Sequence, residues 1–416
     1  MGAAEGMRMG LLFKDDLLDE FGSWPIAYIP YGGADFGEIA AVAKAVGDGD
    51  GSAFHQAWAG AGDRFAAEAD AAERRGAIAS ARELFLRASV FYSTSLRPLF
   101  GTPVDPRLLA AYRKGVDAFD RGLALTDPPI RPRAISFEGA SMPAYFVPAA
   151  GFVDGQRPTI IFTNGYDGTL TDMFFASAVA AGRRGYHSLL FDGPGQGGML
   201  FKQNIPLRPD WETVIKAVVD FALAIPQVDP QKIVLSGWSL GGYFAPRAAS
   251  GELRLAACIA DPGQWAVLDS IRAAAIRMGL PPAAAADLGS IDDATARLFE
   301  GAIMGNAGQR WKVVQRGFWA NGVSNLRNYF KETERFTMKG RAEMIRCPTL
   351  IMAAENDPLA IGAQTLFDAL TCPKALIKFT AAEGAGGHCE MMNRSLANRT
   401  VLDWLDETLG AFASRL

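Results

Sequence analysis

Histidine and cysteine are scarce in this chain of 416 residues, which holds three of the first and four of the second. Neither His-x-His nor His-Glu-x-x-His occurs, so the ligand spacings of common zinc enzymes are missing and no metal site is expected. Cys258, Cys347, Cys372 and Cys389 lie far apart without a Cys-x-x-Cys pair, which excludes a zinc knuckle or a thioredoxin-like redox centre and fits reduced thiols in a cytoplasm. An excess of one charge is missing too. The net charge is −4 and the basic residues are scattered, so neither a nucleic-acid stripe nor a polybasic membrane patch is expected. No run approaches the roughly 18 apolar residues of a membrane span. The opening "MGAAEGMRMGLLFKDDLL" has one basic residue and then an apolar stretch soon broken by charge, which does not read as a signal peptide.

What is present divides near residue 130. Before it, "AAERRGAIASARELFLRASVFYSTSLRPLF" and "VDPRLLAAYRKGVDAFDRGL" set charged and apolar residues at helical spacing, so residues 1–130 are expected to be a helical region. "ELFLRASVFYSTSLRPLF" is too apolar for a free-standing solvated helix and is expected to cover a pocket, the core or a second subunit. The proline-dense "TDPPIRPR" then breaks the pattern as a linker. Residues 131–416 carry short β-branched or aromatic runs: "AISFEG", "MPAYFVPA", "PTIIFTNG", "HSLLFDG", "KIVLSG", "LAACIAD", "PTLIMAAEND" and "ALIKFT". The first two are close enough for a hairpin, and the later ones alternate with helical stretches. That predicts an α/β fold with a mostly parallel sheet of about eight strands. Some 80 helical-looking residues separate "IADPG" from "CPTLIM", too many for a simple connection, and are expected to form a helical cap inserted at about 263–343.

"SGWSLGG" places Ser239 in a Gly-x-Ser-x-Gly pattern. In a chain with 45 glycines the pattern alone arises easily by chance, so its context must decide. The serine follows the strand-like "KIVLSG" and precedes a helix-like stretch. Gly237, Gly241 and Gly242 supply the small neighbours that a strained strand-to-helix elbow requires. A serine hydroxyl needs a base to take its proton and an acid to orient that base. His55 lies in the helical region and His187 opens a buried strand, so both are expected to be structural. His388, in the glycine-rich "AAEGAGGHCE" after the last strand, is the expected base.

The acid should end a strand between serine and histidine in the chain. Asp357 in "LIMAAENDPLA" does so; Asp261 in "CIADPG" is its rival or a pocket group, and Glu355 is a weaker candidate. The oxyanion of a reacting carbonyl needs preorganised donors. The backbone N–H groups of Leu240, at the helix start, and Tyr166, in "NGYDG" after "TIIFT", are the expected pair. Trp265 and Trp319, with Trp311 and Phe318, are candidate pocket residues, although aromatics at helical spacing are more often core.

With Ser239, Asp357 and His388 in that order, the "NGYDG" loop and the "FDGPGQG" loop at 191–197, the chain resembles an α/β-hydrolase over residues 130–416. "SARELFLRASVFY", "FEGASMPAYFVPA", "TNGYDGT" and "GHCE" make it similar to the group of 2,6-dihydroxypseudooxynicotine hydrolase and the fungal polyketide-shortening hydrolases. The resemblance implies a cofactor-free hydrolase of a small molecule, often a homodimer, whose N-terminal helices help close the pocket. It assigns the triad to Ser239, Asp357 and His388, with cleavage of a carbon–carbon bond beside a ketone, or of an ester or amide. Asn164 stands where many relatives have histidine before the oxyanion glycine. Two other readings stay open: a hydrolase of short peptides or amides, and a non-catalytic binding protein that kept the hydrolase pocket.

Overall fold

The computed structural model describes residues 10–410; the first nine residues of the N-terminal stretch read above lie outside it. Eight strands form one sheet: β1 (Pro132–Phe137), β2 (Ala140–Val147), β3 (Arg157–Thr163), β4 (His187–Phe191), β5 (Val228–Trp238), β6 (Ala257–Asp261), β7 (Thr349–Ala354) and β8 (Lys374–Phe379). Their spatial order is β1-β2-β4-β3-β5-β6-β7-β8. β1 and β2 form the expected hairpin, turning at Glu138 and Gly139, both with positive φ as a tight two-residue turn requires. β2 runs antiparallel to β4, and all later pairings are parallel. β4 and β6 are buried at every position because helices cover both faces, which is why their sequences read as unbroken apolar runs rather than alternating ones.

The order of the strands decides what meets at the sheet's C-terminal edge. β3 and β5 are neighbours with Thr163 opposite Gly237, so the loop after β3 must lie against the turn after β5. β6, β7 and β8 follow outward, and the loops leaving them converge on the same edge, the usual ligand side of a parallel sheet.

Before the sheet come the helices Asp16–Ser23, Phe36–Val46, Gly51–Arg74, Ile78–Ser95 and Pro106–Ala124, with a tighter helical segment at Trp24–Tyr31. The longest starts where the Asp50 carboxylate caps Ser52 N and Ala53 N. Its buried face is the stripe Phe54, Trp58, Ala61, Phe65, Ala69 and Ala72, spaced three or four residues apart. Phe21, Trp24, Tyr28, Trp58 and Phe91 join Ile161, Leu235, Ile259 and Leu350 in one continuous apolar core, so these helices share the sheet's interior. By contrast, the helices between β6 and β7 build a separate small core from Leu268, Leu288, Ile303, Phe318, Tyr329 and Phe330. An antiparallel bridge of Ala266 with Thr337 pins the two ends of this insertion together. No helix of the described residues is long and apolar enough to cross a membrane.

Candidate active site

Ser239 sits immediately beyond β5 with φ +60°, the left-handed backbone of a sharp strand-to-helix elbow. A Cβ on Gly237 would lie 2.0 Å from Gly241 O, so no other residue fits there without moving the turn. The elbow presents Oγ toward a cavity of about 250 Å³ between the sheet edge and the inserted helices. Its backbone is tied down from below: Ser239 N donates to Asp261 O at 2.7 Å, and Gln264 Nε2 donates to Ser239 O at 2.6 Å.

His388 Nε2 lies 3.0 Å from Ser239 Oγ, and Nδ1 lies 2.7 Å from Asp357 Oδ2. The Asp357 side chain is fully buried, and its other oxygen accepts from Leu359 N at 2.9 Å. A carboxylate so held takes the Nδ1–H and leaves Nε2 to accept the serine proton. Burial alone would lower the His388 pKa, but the Asp357 carboxylate, helped by the charges of Asp261 and Glu20, outweighs it, so the imidazole titrates above the ordinary histidine value. Only the neutral ring can act as a base. Activity should therefore fall with decreasing pH, with the acid limb of kcat/KM centred above the ordinary value of about 6.5. A rate profile measured from pH 5 to 9 checks this, and a midpoint at or below about 6.5 would contradict it.

The loop after β3 lies directly on the elbow. A Cβ on Gly165 would fall 2.7 Å from Ser239 Cβ, so close approach rather than turn geometry demands glycine here. Asn164 Oδ1 accepts from Gly165 N at 2.7 Å, which shapes the loop against the elbow. From "FDGPGQG", Gln196 Nε2 donates to Asn164 O at 2.7 Å while Gln196 Oε1 accepts from Gly193 N, bracing one loop against the other. Leu240 and Tyr166 both border the cavity, and among the described residues no protein acceptor takes either backbone N–H. The Tyr166 side chain points to the insertion, where Asn321 Nδ2 donates to its hydroxyl at 3.0 Å and Arg316 lies over its ring.

Three expected pocket residues do not border the cavity. Asp261 is buried under the elbow and paired with Arg394 at 2.8 Å, which removes it both as a pocket group and as the partner of His388. Trp319 stacks on Phe201 at 5.4 Å and meets Phe100 edge-on, so its ring is spent on the core. Trp265 packs half-buried at the base of the insertion, against the main core. Trp311 and Phe318 are likewise consumed, the first on Phe21 and Phe100, the second on Tyr329. Glu355 accepts from Ala381 N instead of facing the imidazole. His55 and His187 are structural as expected, held by Ser95 O and Ala149 N.

The cavity is lined instead by residues that carried no local signal. Glu20 and Trp24 come from the N-terminal helices; Ile271, Met278, Phe299, Ile303, Val313 and Phe330 make an apolar end within the insertion. Between them lie Lys312, paired with Glu20 at 2.9 Å, and Arg316, paired with Asp167 at 3.3 Å. Both basic residues sit on the π-helical turn Arg310–Phe318, a geometry often found at functional sites.

The sequence pattern of the alpha/beta hydrolase family matches residues 146–399. The chain belongs to that family. Hydrolase LUC6 of Fusarium sp is 31% identical to it over 401 residues, covering 92% of this chain and 94% of the relative. The 20-hydroxy-prefusarin hydrolase FUS2 of Gibberella moniliformis is 30% identical over 395 residues, covering 91% and 93%. The crystal structure of 2,6-dihydroxy-pseudo-oxynicotine hydrolase superimposes with a TM-score of 0.72 at 20% identity, covering 92% of this chain and 95% of that one, so the fold extends through the N-terminal helices. This hydrolase is an enzyme of the group its motifs pointed to.

Proposed function

We propose that this hydrolase is a cofactor-independent serine hydrolase of a small, partly aromatic molecule bearing a ketone or ester. The observation that carries this reading is the unbroken hydrogen-bonded chain Ser239–His388–Asp357 bordering the cavity. Ser239 Oγ attacks the substrate carbonyl as His388 Nε2 takes its proton, and Asp357 stabilises the resulting imidazolium. The N–H groups of Leu240 and Tyr166 receive the oxyanion. Collapse expels the leaving group, an alkoxide from an ester or an enolate carbon from a β-diketone, which takes the proton from the imidazolium. Water, deprotonated by His388, then releases the acid and restores Oγ–H.

The helices of residues 1–130 and the cap at about 263–343 supply the enclosure. Glu20 and Trp24 on one side, and Lys312 and Val313 on the other, wall the cavity. The apolar end suits a hydrophobic or aryl group and the polar end the scissile carbonyl, consistent with relatives named as hydrolases of prefusarin-type and oxynicotine-type molecules. A fluorophosphonate should add one phosphonyl group at Ser239, read by peptide mass spectrometry. A screen of aryl esters and β-diketones should then find turnover that this label abolishes. Labelling at another residue, or turnover that survives complete labelling, would refute the assignment.

A further inference from the structure

Resting on that serine-hydrolase reading, we propose that Glu390 is a positioning residue: as a neutral carboxylic acid it donates its proton to Asp261 Oδ1, completing a buried clamp that holds the His388 turn against Ser239.

The turn itself raises the question. Cys389 and Glu390 both adopt left-handed backbone, with φ of 51° and 49°, directly after His388. Neither is a glycine, and consecutive left-handed residues persist only where their surroundings over-determine them. Here the surroundings are one polar cluster beneath the elbow. Arg394, at the start of the last helix (Arg394–Leu409), donates through Nη1 to Asp261 Oδ2 at 2.8 Å and to Cys389 O at 2.9 Å. Its Nε donates to Ala176 O at 3.2 Å, on a π-helical turn, and its Nη2 to Ser177 Oγ at 3.2 Å. Asp261 O accepts from Ser239 N, and Cys389 Sγ lies 3.1 Å from that same nitrogen and 3.6 Å from His388 Nε2. The cluster thus touches both the nucleophile and the base.

Its charge does not balance with both acids ionised. Among the described residues Asp261 and Glu390 share one ion-pair partner, Arg394, which is 3.7 Å from Glu390 Oε2, and the Glu390 side chain is fully buried. Among the described residues Asp261 Oδ1 and both Glu390 oxygens have no hydrogen-bond donor, both carboxyls lie beside Arg394 Nη1, and they are close enough to interact with one another. One proton between them removes the buried excess charge and supplies the missing bond. It resides on Glu390: burial, then the Asp261 charge, push that carboxyl well above its usual range, with Arg394 offsetting only part. Asp261 keeps its ion pair, and the backbone of residues 389–390 is fastened to the strand end that also holds Ser239.

The test compares E390Q with E390L in the full-length protein, using the best substrate of the aryl-ester and β-diketone screen. A carboxamide has the same charge as the neutral acid and can donate to Asp261 Oδ1. E390Q should therefore keep kcat within about threefold of wild type and leave the acid limb of kcat/KM unmoved. The charged groups that set that limb remain in place: Asp357 after β7, Asp261 at the end of β6 and Glu20 on the N-terminal helix, with Arg394 still paired to Asp261. E390L removes the donor and frees the turn. It should lower kcat about 10- to 100-fold with KM within about threefold, as expected when a base is misplaced by a fraction of an ångström to an ångström. A downward shift of the acid limb in E390Q means that an ionised Glu390 was removed, and overturns the proposal. So does an E390L that merely melts earlier at unchanged kcat. Should E390L not fold, the E390Q limb decides alone. Failure of the underlying reading is separable, because wild type would then take no fluorophosphonate at Ser239.

Discussion

Ser239→Ala is expected to lower turnover to less than about one hundredth of wild type while leaving the melting temperature within a few degrees. Loss of a triad nucleophile typically costs far more than a hundredfold, and what persists comes from the oxyanion donors and binding alone. The fold should tolerate the change because Oγ faces the cavity and its bond is to His388, whereas the elbow is held through the backbone of residue 239 by Asp261 O and Gln264. Single-turnover kinetics on an aryl ester, alongside thermal unfolding, separates the two effects. A variant that retains more than a few per cent of turnover at native stability would remove Ser239 from the chemistry.

The second large effect distinguishes two aspartates that end neighbouring strands. Asp357→Asn should reduce kcat by up to about 10⁴-fold, because an amide in place of the carboxylate no longer holds the proton on Nδ1 and cannot stabilise the imidazolium. It should also move the acid limb of kcat/KM to lower pH, since the carboxylate is what raises His388 against the opposing effect of burial. Asp261→Asn acts elsewhere. It takes the counter-charge from a buried Arg394, so its main cost should be to stability, on the order of 3 kcal/mol, with a smaller fall in kcat. Chemical denaturation and a pH–rate profile of both variants check the ranking. The reverse order, with Asp261→Asn inactive at native stability and Asp357→Asn nearly unimpaired, would transfer the orienting role to Asp261.

The eight strands, the elbow and the order serine, aspartate, histidine were readable because each is a local pattern. β-branched runs bounded by glycine and proline describe a strand wherever it packs, and Gly237 reflects a clash with Gly241 O inside the same turn, although Gly241 and Gly242 are also kept small by Thr163 O and Pro262 O from the ends of neighbouring strands. The aromatic residues were not readable in this way. Trp311 and Trp319 have helical spacing, but whether such a ring faces a cavity or a core depends on what arrives opposite. Here Phe21, Phe100 and Phe201 arrive and consume them.

By itself, the sequence determined the fold class, the sheet's strands, and the serine and histidine that meet in one hydrogen-bonded chain, because periodicity, turn chemistry and strand-end placement are properties of short segments. Only the tertiary structure decided which of two strand-end aspartates faces His388 and which is turned under the elbow. The physical reason is charge compensation over long separations. Arg394 lies 133 residues from Asp261 and claims it, while Asp357 is left to the imidazole. The walls of the cavity were likewise a tertiary outcome: Glu20 meets Lys312, 292 residues away, only because the core brings the N-terminal helices and the insertion together over the sheet's edge.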